Sequence, residues 1–282
     1  MNIFKDTMSE MTYEQVEKLV EQEAIVLFPV GIIEEHGPHL PLGTDIYLAY
    51  KQAHDVWEEL NSMKIPCVIA PPFYLGGVQA LTRHFPGTFA FSKETIMACI
   101  EEYLENLDRF GFKRVVVFND HGDGLHISAI VEAIKNANRK LELQAYWMEY
   151  EYELKEHGFS GEEDYILKLT DMPFEEMFQI SKEPRDAFDV HAGAFETACM
   201  REIYPEAVRE NTLAMLEPTF LQGEQIGKWC NGAAEDKALI PNGYVGDPKG
   251  SQYIETNLKE ADRRIARDIV NSFGKQVNDN YE

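Results

Sequence analysis

Two short stretches of the chain concentrate side chains able to do metal chemistry. Gly31 to Asp45 carries Glu34, Glu35, His36, His39 and Asp45, and Asn119 to Gly124 carries Asp120, His121 and Asp123. Carboxylate and imidazole are the donor types that Zn, Mn and Fe(II) accept. Glu34 and His36 are two residues apart, so in extended backbone they project to the same side and could engage one ion or two adjacent ones. Asp45 follows a Gly- and Pro-rich turn that can fold it back over them, and a carboxylate there could bridge two ions. His121 and Asp123 repeat the two-residue relation. Two divalent ions with one hydroxide would balance Glu34, Asp45 and Asp123, whereas the same three carboxylates without metal would repel one another and hold protons more tightly. A lone Glu-x-His in an acidic chain says little; two such clusters at the ends of predicted strands say more.

The elements that must position these clusters alternate. Thr12 to Gln15 has the capping-box pattern, which predicts a helix to about Glu23. Ala24 to Phe28 reads as a strand buried on both faces, Ile46 to Leu60 as a helix and Cys67 to Ala70 as a second strand. Ser92 caps a helix to about Phe110, Val115 to Phe118 is the clearest buried strand, Leu125 to Asn138 is helical and Leu141 to Trp147 is a further strand. This alternation predicts an α/β fold: a single-domain sandwich with a mostly parallel central sheet flanked by helices. In such sheets ligands bind beyond the carboxyl ends of the strands, where both clusters lie. Residues 149–188 break the rhythm with Glu149, Glu151, Glu153, Glu156, Glu162, Glu163 and Asp164 set among Tyr and Phe. They read as mostly helical and exposed, an acidic insertion or lid that selects substrate. His191 to Ile203 resumes a helix, 205–250 is irregular, and Ser251 to Gln276 is a closing amphipathic helix.

Composition narrows the class. The 282 residues hold 49 acids against 26 bases, a net charge of −23. This excludes a nucleic-acid binder, whose affinity rests on Lys and Arg, and disfavours anionic membrane surfaces. The longest apolar run, Ala24 to Ile33, is too short to span a bilayer. Met1 to Asp6 lacks a signal-peptide pattern, and the cysteines at 67, 99, 199 and 230 form no Cys-x-x-Cys pair, so a reduced, cytoplasmic protein is expected.

Pro29 to Asp45, seventeen consecutive residues, resembles the opening signature of the creatininase (creatinine amidohydrolase) family. His84-Phe-Pro-Gly-Thr88, Asn119-Asp-His121, Asp189-Val-His-Ala-Gly-Ala-Phe-Glu-Thr197 and Gly246-Asp-Pro248 resemble further elements in the family's order. The resemblance implies a dinuclear site for two divalent ions (Zn, Mn or Fe), with Glu34 and His36 each binding one ion, Asp45 bridging and His121 joining the ion held by Glu34. At the residue two after that His, creatinine-splitting members have Glu; here it is Asp123, which would complete the other shell. His191 matches the His that passes a proton to the leaving nitrogen. Glu196 would orient a ligand or stand in as a carboxylate near the metals. Trp147 matches a pocket tryptophan, and Gly122 stands where creatinine-splitting members carry an aromatic, which makes creatinine itself doubtful as substrate. His39 reads as a supporting donor or turn residue, His126 as structural, and Glu35 as a packing or subunit-contact residue.

The resemblance implies a metal-dependent hydrolase that opens a cyclic amide or similar C–N bond, with a small-molecule substrate. Its nearest alternatives are a ring-opening C–C hydrolase of an oxidised inositol and a formamide deformylase. It also implies a homo-oligomer, a hexamer built as a trimer of dimers.

Overall fold

In the computed structural model, which describes residues 1–277, Ile25–Val30 (β1) is buried along its whole length, as a strand covered on both faces must be. Ile25 and Leu27 join one core and Val26, Phe28 and Val30 the other, the two-residue period of a strand. β1 pairs in parallel with Cys67–Ile69 (β2) on one side and Arg114–Asn119 (β3) on the other. Gln144–Tyr150 (β4) and Ile166–Leu169 (β5) extend the sheet, giving the all-parallel order β2-β1-β3-β4-β5.

Tyr13–Glu21 (α1) starts at the expected capping box, with Thr12 N donating to Gln15 Oε1 at 2.8 Å. Thr44–Ser62 (α2) covers one face of the sheet through Ala53, Val56 and Leu60. Lys93–Phe110 (α3) and Gly124–Lys140 (α4) cover the other through Ile96, Ile100, Leu104, Ile130 and Ile134. α3 begins at Ser92 and ends on Gly111, whose φ of 107° a side chain would resist. Glu151–Glu156 (α5) and Phe174–Met177 (α6) are short. Phe178–Ile180 (β6) pairs antiparallel with Ile254–Thr256 (β7) outside the main sheet. Ala194–Ile203 (α7), Glu210–Leu213 (α8), Gly223–Asn231 (α9) and Leu258–Val277 (α10) complete the chain; α10 lies beside α2 with Ile265 and Ile269 in the same core. No helix among the described residues is long and apolar enough to cross a membrane.

Three expectations are corrected. Residues 149–188 are largely exposed, as expected, but not mostly helical: only the short α5 and α6 are helices there, Ile166, Leu167 and Leu169 are buried in β5, the edge strand, and Leu154 of α5 packs into the core. The surrounding acids hid a strand only four residues long. The helix after His191 starts at Ala194, because Ala192 is left-handed at φ 49° and Gly193 is extended. The closing helix starts at Leu258, after a 3-10 turn and β7.

The chain leaves β1 through α2 to β2, then crosses through α3 to β3 on the opposite side of β1. The strand order therefore reverses between β1 and β3, and the crevice beyond their carboxyl ends is where such sheets bind ligands.

Candidate metal centre

Local chemistry folds both clusters into that crevice. A Cβ on Gly31 would lie 3.0 Å from Ile46 N, so glycine lets the end of β1 run against the first turn of α2. This sets Asp45, in that turn, beside Glu34 and His36. The His121 loop leaves β3 directly, and Glu196 reaches the site from the first turn of α7. Ala192 N donates to Glu196 Oε2 at 2.6 Å, so the left-handed turn after His191 aims the carboxylate.

Each imidazole has one nitrogen pinned by a backbone carbonyl, which can only accept. His36 Nδ1 donates to Glu34 O at 3.0 Å, and His121 Nε2 donates to Gly77 O at 3.1 Å. The opposite nitrogens then face carboxylates. His36 Nε2 is 2.9 Å from Asp45 Oδ1 and 3.2 Å from Glu196 Oε1. His121 Nδ1 is 3.2 Å from Glu34 Oε2 and 3.4 Å from Asp45 Oδ2. Asp45 thus presents one oxygen to each imidazole. Glu34 Oε2 and Asp45 Oδ2 are buried and accept no well-aligned hydrogen bond. A lone pair facing two carboxylates needs a proton or a cation between them, and fixing the tautomer from outside is how proteins prepare His for metal. The donor atoms of Glu34, Asp45 and His121 lie within 4.8 Å of one another, as do those of His36, Asp45 and Glu196 and those of Glu34, His36 and His191. The residues present fit a metal pair.

Electrostatics agree. Burial opposes charge on His36, but Asp45 and Glu196 overcome it and hold its pKa well above 6.5. Burial likewise opposes charge on His121, and Glu34 and Asp45 push its pKa up. Burial would raise Glu196, yet His36 and His191 hold it down at about 2. Burial lifts Glu35 to about 7, and lifts Asp120, with help from Asp45 and Glu153, to about 8. The metal-free fold therefore binds more protons near neutrality than the unfolded chain. Stability from groups with raised folded pKa values is present at lower pH and lost as pH rises through those values. His39, which burial lowers to about 4, and His126, which burial also lowers, act in the opposite sense while their unfolded imidazoles shed protons just above pH 6.5, but they are fewer than the raised groups and do not reverse the slope. Between pH 6.5 and about 8 the melting temperature of chelator-treated protein should fall as pH rises, and metal loading should flatten that slope by replacing the protons. Chelator-treated protein that melts higher at pH 8 than at 6.5 contradicts this.

The structure separates the remaining candidates. Asp123 is in none of the donor sets. Its Oδ1 caps α4 by accepting from Leu125 N at 2.9 Å, while Oδ2 accepts from Gln79 N at 2.8 Å and Ala80 N at 3.2 Å. Backbone amides have claimed the carboxylate, and Glu196 stands where it was expected. Asp123→Ala should cost about 1–3 kcal/mol, the range for a lost cap and orphaned amides, and should keep its full metal complement by elemental analysis. Trp147 is not a pocket wall: it is 1% exposed in the core on the α3–α4 side of the sheet, edge-on to Phe159. As a β4 residue it points to the face opposite its neighbour Met148, and Met148 lines the cavity instead. Gly122 does line the cavity, and a Cβ there would meet nothing within 4 Å. His191 lines it too; its Nε2 donates to Glu35 O at 2.8 Å, and its ring centroid is 4.4 Å from that of His36. Asp189 caps α7 through Ala194 N and Phe195 N, at 2.6 and 3.2 Å. His39 Nε2 meets Thr197 Oγ1 at 2.9 Å, and His126 Nε2 meets Asn119 Oδ1 at 3.0 Å; both are buried supports.

The crevice opens into a cavity of about 420 Å³, the size of a small-molecule site. Its wall includes Asp120 from the second acidic cluster, Glu149 and Glu153 from the stretch expected to select substrate, and Asp262, which had no assigned role. For Asp262 the only hint in the sequence was the excess of acids over bases.

The family model described as creatinine amidohydrolase matches residues 9–256 of the chain. A mycofactocin precursor peptide peptidase of Mycolicibacterium smegmatis is 32% identical over 277 residues, covering 97% of this chain and 91% of its own. A 3-dehydro-scyllo-inosose hydrolase of Thermotoga maritima is 22% identical over 288 residues, covering 93% and 83%. Solved structures of creatininase in a manganese form and, as a variant, in a Zn–Zn form each align with a TM-score of 0.65 at 20% identity, covering 96% of this chain and 98% of theirs; they share its fold.

Proposed function

The chain belongs to the creatininase family, and from that membership and its paired donor sets we propose a metal-dependent hydrolase that cleaves a C–N bond, in a cyclic amide or a similar small substrate, with two divalent ions. The observation that carries this is the shared carboxylate: Asp45 offers Oδ1 beside His36 and Oδ2 beside His121. Glu34, Asp45 and His121 would hold one ion, and His36, Asp45 and Glu196 the other. Bound there, divalent ions supply a water acidified toward neutrality and a polarised substrate carbonyl.

The chain's own residues supply the rest. His191 Nε2 keeps its proton on Glu35 O, so the proton it can move sits on Nδ1. From the cavity wall that nitrogen would protonate the departing amine. The aliphatic and aromatic wall, with Met148, Leu169, Met177 and Phe195, excludes water around the amide. Gly122 leaves open the volume beside His121 for the substrate.

The similarity to a hydrolase of an oxidised inositol makes C–C ring opening the second reading. The test is to load the protein with Zn, Mn or Fe(II) and assay lactams, hydantoins, formamides and short peptides for released amine, and keto-inositols for a ring-opened acid. Metal-dependent amine release supports the C–N reading. Turnover confined to the keto-inositols overturns it. A homo-oligomer, hexameric as the family resemblance implies, belongs to the same proposal; elution as a monomer at micromolar concentration would refute it.

A further inference from the structure

We propose that the cavity takes a substrate carrying an ammonium group, held by Asp120, Glu149 and Glu153. This rests on the reading of the site as an amide hydrolase and names its substrate class.

Five observations point the same way. The three carboxylates line the cavity beyond the donor sets, so they are surplus to the charge the ions would take up. Lys51 is the one Lys or Arg on that wall, and it is already paired with Asp55. Among the described residues no cationic side chain pairs with Asp120, Glu149 or Glu153. Asp120 Oδ2 is buried and has no hydrogen-bond partner, an acceptor left open beside the site. The surrounding wall is apolar or aromatic, with Met148, Tyr152, Phe178 and Phe195. Carboxyl groups in such a wall ionise only at a cost, and a cation bound against them offsets that cost. Burial, with repulsion from Glu153 on Glu149 and from Glu156 on Glu153, holds both above the usual carboxylate range.

The spacing selects among cations. The donor atoms of Asp120, Glu149 and Glu153 do not form a set within 4.8 Å of one another, so they are too spread to share one metal ion. An organic cation with several N–H groups can span them. A neutral polyol could also hydrogen-bond to these carboxyl groups, but it would bring no charge to balance their ionised form.

The experiment uses metal-loaded protein and reads binding by calorimetry at pH 7. The probes are α-amino-ε-caprolactam, a cation at that pH, its neutral parent ε-caprolactam, and myo-inositol. The aminolactam should bind about tenfold tighter than caprolactam or more, the scale of a desolvated charge pair. That preference should shrink about tenfold in Glu149→Gln and in Asp120→Asn, and should weaken with added salt. Both substitutions keep shape and remove charge; unchanged melting curves establish that the variants are folded. Equal affinity for the two lactams, binding of neither at millimolar concentration, tighter binding of myo-inositol, or a preference unaltered in both variants overturns the proposal. Because binding is read without turnover, the two ideas fail separately. A charge preference with no ring opening removes the hydrolase reading alone, and ring opening without charge preference removes this inference alone.

Discussion

Asp45→Ala should leave the chain with neither divalent ion and with hydrolysis near background, a loss of about 10⁴-fold or more. The expectation comes from one side chain doing two jobs. Asp45 Oδ1 stands 2.9 Å from His36 Nε2 and Oδ2 stands 3.4 Å from His121 Nδ1. Removing it takes a carboxylate from both donor sets and leaves Glu34 with His121, and Glu196 with His36, as two-donor remnants. It also removes one of the negative charges that draw a cation into the crevice. His36→Ala is the contrast: it dismantles the set completed by Glu196 and leaves Glu34, Asp45 and His121 intact, so about one ion should remain, as the two-metal arrangement predicts. Elemental analysis after exhaustive dialysis distinguishes the two. An Asp45→Ala protein that keeps its full metal complement would show that the carboxylate does not bridge.

His191→Ala should keep both ions and lose about 10²–10⁴-fold in turnover, the range for a missing general acid. His191 sits on the cavity wall with Nε2 committed to Glu35 O, so its Nδ1 is the nitrogen available to the leaving group. The loss should shrink across a series of anilides with increasingly acidic leaving amines, because a stable leaving anion needs no proton. The structure also supplies a rival role, since His191 can join Glu34 and His36 as a third donor set. If the variant loses an ion, or if its defect is the same for every leaving group, His191 is a ligand and not the acid.

Much of the site was written in short stretches of sequence. The two-residue spacing of Glu34 and His36, and the glycines and prolines before Asp45, dictate local geometry that holds wherever the segment is placed. The strands at Ile25–Val30 and Arg114–Asn119 and the capping box at Thr12 follow from periodicity and from hydrogen bonds spanning three residues. The order of those elements alone implied a parallel sheet with both clusters at its carboxyl edge.

What only the tertiary structure decided was competition between distant partners. Asp123 and Glu196 were both carboxylates near the expected site, and nothing local chooses between them. The choice was made by the amides of Gln79 and Ala80, which arrive on another loop and take Asp123, and by the left-handed turn at Ala192, which swings Glu196 onto His36. Trp147 was lost to the core because the register of β4 turned it toward α4 rather than toward the cavity. The acids at 149 and 153 looked like solvated surface, but in the fold they share a cavity wall with Phe195 of α7 and Leu258 and Asp262 of α10. A side chain's type and its direction from the backbone are local properties, but which groups reach it first, and whether water still can, depend on contacts that exist only once the chain has folded.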